Sequence, residues 1–168
     1  WGPLHLLATH GRTLIGDLKE RLIEADDTAS EITGRVRLTL YLADMDMNHG
    51  DRNRAMRLYR AASTYLVRAM AVDPHNSSRH RDFAKVQELL GGMMAEDGDL
   101  SAALEHYRKS LGVRTFMSKN ESTETSLKQD LLRLNIKIGD ILASTQNHEE
   151  ALHSYMAAHN LHGRLAQD

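Results

Sequence analysis

Four histidines crowd one short stretch near the end of this chain: His148, His153, His159 and His162. His159 and His162 stand three apart, a spacing at which two imidazoles on one helix could share a metal ion. The pattern places no carboxylate or third ligand beside them, so a polar helix face without metal is expected. Nucleophilic chemistry finds as little support. Serines and threonines fall mostly in caps and loops, with no Gly-x-Ser-x-Gly turn and no phosphate loop. Gly91-Gly92 lies inside a helical pattern, where close packing explains a glycine pair better than phosphate binding. Asp97 and Asp99 flank a tight turn and suit helix capping. There is no cysteine, which excludes disulfides, thiolate catalysis and zinc–thiolate sites. The expectation is no enzyme, no metal and no cofactor. One set of charges stands apart. Arg37, Lys85 and Arg133 follow one another at steps of 48 residues. Each of the three cations could simply be a solvated helix position, or the regular row could hold an acidic segment of another protein.

The same step of 48 governs the elements that must carry these side chains. From Ala84 to Met117 the sequence reads as an apolar-periodic helix, a Gly98-Asp99 turn and a second apolar-periodic helix. Moving 48 residues on, Gly91, Ala103, Tyr107 and Ser110 become Gly139, Ala151, Tyr155 and Ala158. Moving 48 back, they become Ala43, Ala55, Tyr59 and Ala62. Paired helices approach closely only where side chains are small. The tyrosines lie four residues beyond the alanines, on the same helix face. Each is placed to fill the gap between its own pair and the next. Leu42, Leu90 and Ile138 supply a facing apolar row, and Met45, Met93 and Ile141 a second. The first copy departs at two places, with Ala43 for glycine and Asp46 for Met94 and Leu142.

This order of small, small, aromatic and small residues in helix–turn–helix units resembles the tetratricopeptide repeats, whose usual unit is about 34 residues. A unit of 48 requires longer helices, chiefly the second of each pair. Such long units look like those in the regulatory regions of large bacterial signalling proteins, some Ser/Thr kinases and nucleotide cyclases among them. The resemblance covers residues 30–168. It implies an all-α helix–turn–helix repeat solenoid that acts as a protein–protein interaction scaffold. In that family the first helices line a concave groove. Helical spacing along them gives the expected partner-binding positions: Arg37, Tyr41, Asp44, Met47, Lys85, Glu88, Gly92, Arg133, Lys137, Asp140 and Ser144. Tyr41 and Met47 would serve as apolar anchors. The family's carboxylate clamp is not expected. Arg133 and Lys137 match its last two cations, but Leu40, Asp44 and Leu89 replace its lysine and asparagines.

Composition sets the outer bounds. The 168 residues suffice for one domain with a core, and 41% hydrophobic content with 5% aromatics suits a helical solenoid. A net charge of −2 offers no field for nucleic acid or anionic membrane. No apolar run reaches the 18 or so residues that a membrane-spanning helix needs. The expected compartment is the cytoplasm. The chain begins at Trp1 and reads as a fragment or processed piece.

In order, residues 1–27 are expected as an N-terminal helix or degenerate copy, with an amphipathic pattern from Leu4 to Ile23. Thr28 and Glu31 form a capping-box start. The repeats are expected at 28–75, 76–123 and 124–168. Their helices are expected at 29–48 and 52–72, at 79–96 and 100–118, and at 123–144 and 148–166. Asp73-Pro74-His75-Asn76-Ser77-Ser78 is the one strong loop cluster. Asn147 with Glu150 is expected to cap the final helix. That helix carries Leu152, Met156, Leu161 and Leu165, an apolar face that a closed solenoid would seal. Further repeats or a second copy would cover it, so homo-oligomerisation through this end is the alternative function.

Overall fold

The structure is a computed structural model that describes residues 29–120 and 125–166. The expected N-terminal helix over 1–27 and the Thr28 cap lie outside the described residues. Six helices make up the described chain: α1 (Ala29–Asn48), α2 (Arg52–Val72), α3 (Ser77–Glu96), α4 (Leu100–Asn120), α5 (Thr125–Ser144) and α6 (His148–Leu165). First helices begin at 29, 77 and 125, and second helices at 52, 100 and 148, so the 48-residue step holds throughout. Among the described residues there is no strand. The fold is an all-α helical-repeat solenoid of three pairs. Helices pack within each pair, and the pairs join through α2 on α3 and α4 on α5.

Local chemistry explains the boundaries. The turns after α1 and α3 place Gly50 and Gly98 at φ of 80° and 81°, where glycine pays no steric penalty. Gln146 takes the same left-handed conformation in the third turn, at φ 63°. Asp51 and Asp99 then accept backbone N–H groups from Arg54 and Ala102, at 3.1 and 3.0 Å. The expected Asn147 cap does not form. Its amide donates instead to Thr145 Oγ1 at 3.1 Å and leaves the helix start without a side-chain cap. Helix α3 starts at Ser77, inside the expected loop cluster, because Asn76 Oδ1 accepts the Arg79 N–H at 3.3 Å.

The small residues make room for the tyrosines. A Cβ placed on Gly91 would stand 2.8 Å from two ring carbons of Tyr107 and 3.3 Å from the Ala103 carbonyl oxygen. On Gly139 it would stand 2.7 Å from the Tyr155 ring. The departures of the first copy are absorbed. Ala43 and Tyr59 are both buried. The Asp46 carboxylate meets the Arg54 guanidinium of the paired helix at 3.1 Å. The second apolar row is a correction: Met93 and Ile141 are buried, but Met45 is exposed. Arg52 of the preceding pair reaches over α3 to the Met93 carbonyl and to Asp97. No described helix precedes α1 to do the same.

Each tyrosine also carries a hydroxyl, and the copies treat it differently. Tyr59 donates to Asp44 at 2.7 Å and Tyr155 to Asp140 at 2.8 Å. Burial and then the Asp44 carboxylate push the Tyr59 pKa well above its usual range. The second copy has Gly92 at the aspartate's position. Tyr59→Phe is therefore expected to lower stability by about 1–2 kcal/mol, since it strips a part-buried charge-assisted hydrogen bond. Tyr107→Phe should cost less than half as much. Urea unfolding of the two variants checks the order, and equal losses would refute it.

Candidate interaction surface

The first helices bring several expected groove residues together. Between α3 and α5 lies a cavity of about 530 Å³ whose walls include Lys85, Glu88, Leu89, Arg133 and Lys137. Arg81, Asp82, Arg114, Ser126, Leu127 and Asp130 complete it. Arg37, Lys85 and Arg133 are all exposed.

They do not form a bare row of cations. Arg133 donates to Asp130 at 2.8 Å and to Glu88 at 3.3 Å. Burial alone would lower the Arg133 pKa, but Glu88 and then Asp130 carry it upward. Asp82 lies in the field of both Lys85 and Arg37; burial raises its pKa and the two cations pull it down. The strip therefore alternates in sign: Arg37, Asp82, Lys85, Glu88, Arg133, Asp130. The signal was present in the sequence, since Asp82 and Asp130 are themselves 48 apart and each precedes a ladder cation by three.

Beneath the strip sits a residue that the repeat pattern does not reveal. Arg114 of α4 is buried and pairs with both Glu88 and Asp130. Its equivalents one period away are Leu66 and His162, so no shared residue type marks the position. Lys137 stands 5.2 Å above the Tyr107 ring, a cation–π distance. Burial raises the Tyr107 pKa, with Glu88 and Glu96 adding to it.

Other expected groove positions serve their own repeat. Asp44 and Asp140 accept the tyrosine hydroxyls. Ser144 Oγ donates to the Ile141 carbonyl at 2.8 Å. Gly92 faces the Tyr107 hydroxyl, which a Cβ there would meet at 3.7 Å. Tyr41 and Met47 remain exposed at 62% and 40%, free of these internal duties.

On the last helix, Leu152 and Met156 are exposed. Leu161 is a correction: it turns inward onto the cluster of Met117, Leu127 and Leu131. Leu165 is half-buried. His159 and His162 line a separate apolar hollow with Leu132, Ile136, Tyr155 and Ala158. Among the described residues, no three of His, Asp or Glu stand close enough to hold one ion. No described helix is long and apolar enough to cross a membrane.

No protein-family model matches the chain, and no curated protein matches it. Among solved structures, the chain is similar to the crystal structure of MamA at 15% identity. The match covers 75% of this chain and 97% of that chain, with a TM-score of 0.22. A likeness of that size adds nothing to the fold read from the helices themselves.

Proposed function

We propose that this chain is a tetratricopeptide-type interaction module that binds a segment of a partner protein along its first helices. The observation that carries this reading is the cavity between α3 and α5, open to solvent and edged by Lys85 and Lys137. Arg133 is engaged by two carboxylates, so these lysines are the better cations for a ligand. Tyr41 on α1 and Leu89 on α3 sit at equivalent register and offer apolar contact along the same strip. The alternating charge favours a partner segment that mixes acidic and apolar residues over a purely acidic one. A regulatory role inside a larger bacterial signalling protein rests on the likeness to long-unit arrays.

The test begins with peptides selected from a displayed random library on the wild-type chain. Lys85→Glu combined with Lys137→Glu should weaken the selected peptides by about tenfold or more, because opposed charges now face the ligand. His153→Glu, at an exposed position on α6, should leave affinity unchanged. Peptides that bind the double variant as well as wild type would refute this groove.

A further inference from the structure

The three tyrosines of the repeat are equivalent in sequence but not in exposure. Tyr59 and Tyr107 are 2% and 4% exposed, whereas Tyr155 is 37% exposed. The difference lies in what covers them. Helix α3 packs on α2 and helix α5 packs on α4, closing the first two faces. The third face carries the same positions one period on. Tyr155, Leu132 and Ile136 edge a hollow of about 300 Å³ with almost no polar surface. Leu152 beside them is exposed as well, while its equivalent Leu104 is partly buried against the core. Glu88, the second-copy equivalent of Ile136, is replaced here by an apolar side chain.

The two covering helices define what fits. Helix α3 presents Asp82-Phe83-Ala84-Lys85-Val86, and α5 presents Asp130-Leu131-Leu132-Arg133-Leu134 at the same register. Both follow one pattern: aspartate, apolar, any residue, basic, apolar. Phe83, Val86, Leu131 and Leu134 are all buried. Asp130 pairs with Arg114 of the helix it covers, and His162 now stands at that arginine's position. The first helix of a second copy is a poor occupant. It reads Gly34-Arg35-Val36-Arg37-Leu38, without the aspartate, and its Ile32 and Arg35 are already buried.

We infer that the face formed by Leu132, Ile136, Leu152 and Tyr155 docks an amphipathic helix of a partner protein that carries this Asp-apolar-x-basic-apolar pattern. The site continues the two internal repeat interfaces by one period. It is separate from the cavity between α3 and α5.

A fluorescent peptide of residues 125–144, which contains the pattern, is titrated into the full chain and followed by anisotropy. Saturable one-to-one binding is expected. Ile136→Asp and Leu152→Asp in the chain should each weaken it by about tenfold or more, since each places a carboxylate in the apolar contact. Both positions are exposed, and circular dichroism checks that the variants stay folded. Replacing Asp130 and Leu131 within the peptide should weaken binding similarly. Lys85→Glu with Lys137→Glu should leave it within about twofold, as the groove lies elsewhere. No binding to the wild-type chain overturns the inference, as does binding untouched by Ile136→Asp. A wild-type dimer in sedimentation that Ile136→Asp dissociates overturns it in favour of a second copy.

Discussion

Arg114→Leu is expected to destabilise the chain by about 3–5 kcal/mol, the usual cost of stripping one partner from a buried ion pair. The side chain is 9% exposed and faces Glu88, which is 11% exposed, and Asp130. Its loss leaves the largely buried Glu88 with two long contacts, Arg133 at 3.3 Å and the Ser110 hydroxyl at 3.5 Å. Asp130 keeps Arg133 at 2.8 Å, so the damage centres on Glu88. The chain itself contains the apolar alternative. At the equivalent interface between α2 and α3, Leu66 and Leu40 occupy the places of Arg114 and Glu88. Leu66 is fully buried there, and Leu40 packs against the same core.

Arg114→Leu combined with Glu88→Leu is therefore expected to recover most of the loss. Buried ion pairs are often matched by apolar residues of similar size. Urea unfolding of wild type, both single variants and the double gives the coupling directly. Additive losses would refute the pairing, and so would an Arg114→Leu variant within about 1 kcal/mol of wild type. Because solenoid stability is a sum over neighbouring units, the single variant should release α5 and α6 first. Hydrogen exchange in those two helices should speed up before α1 and α2 respond.

The repeat was readable because close packing constrains residue type at few positions and repeats them. A small residue at 43, 91 and 139 lets two backbones and a tyrosine ring share one space. Helix starts followed for the same reason, since capping is local: Asp51 and Asp99 behave alike. Asn147 broke the rule: its amide donates to Thr145 and its oxygen caps no N–H, an orientation that spacing does not report. The candidate site was less legible. Helical spacing identifies which residues share a face, and it brought Lys85, Arg133 and Lys137 to one cavity. It does not report which charges are neutralised from another helix. Glu88 answers to Arg114, 26 residues away, and to Arg133, 45 away. Asp44 and Asp140 sit on the expected face, and each also accepts a tyrosine hydroxyl from its paired helix, a contact that spacing along one helix does not report.

Glycine at position 91 shows how packing reverses a local preference. In an open helix, Gly→Ala stabilises by about 1 kcal/mol. Gly112 of α4 has nothing within 4 Å of its added Cβ, so Gly112→Ala should gain about that much. Gly91→Ala is expected to lose about 1–2 kcal/mol instead, because overpacking outweighs the helix gain. The new methyl would meet the Tyr107 ring at 2.8 Å, and that ring is buried with Lys137 above it. Gly139→Ala should lose less than Gly91→Ala. Tyr155 is more than a third exposed, so its ring can swing outward. The first copy supplies a rescue. It carries Ala43 followed by Asp44, and the aspartate anchors the Tyr59 hydroxyl at 2.7 Å. Gly91→Ala with Gly92→Asp installs the same pair opposite Tyr107, where a Cβ on Gly92 meets the hydroxyl at an ordinary 3.7 Å. The double variant should regain more than half of the loss. Thermal and urea unfolding of the five proteins rank Gly112→Ala above wild type and Gly91→Ala last. A Gly91→Ala variant more stable than wild type would mean that the tyrosine ring is not fixed by its glycine. The shared register of small residue and aromatic would then need a different physical cause.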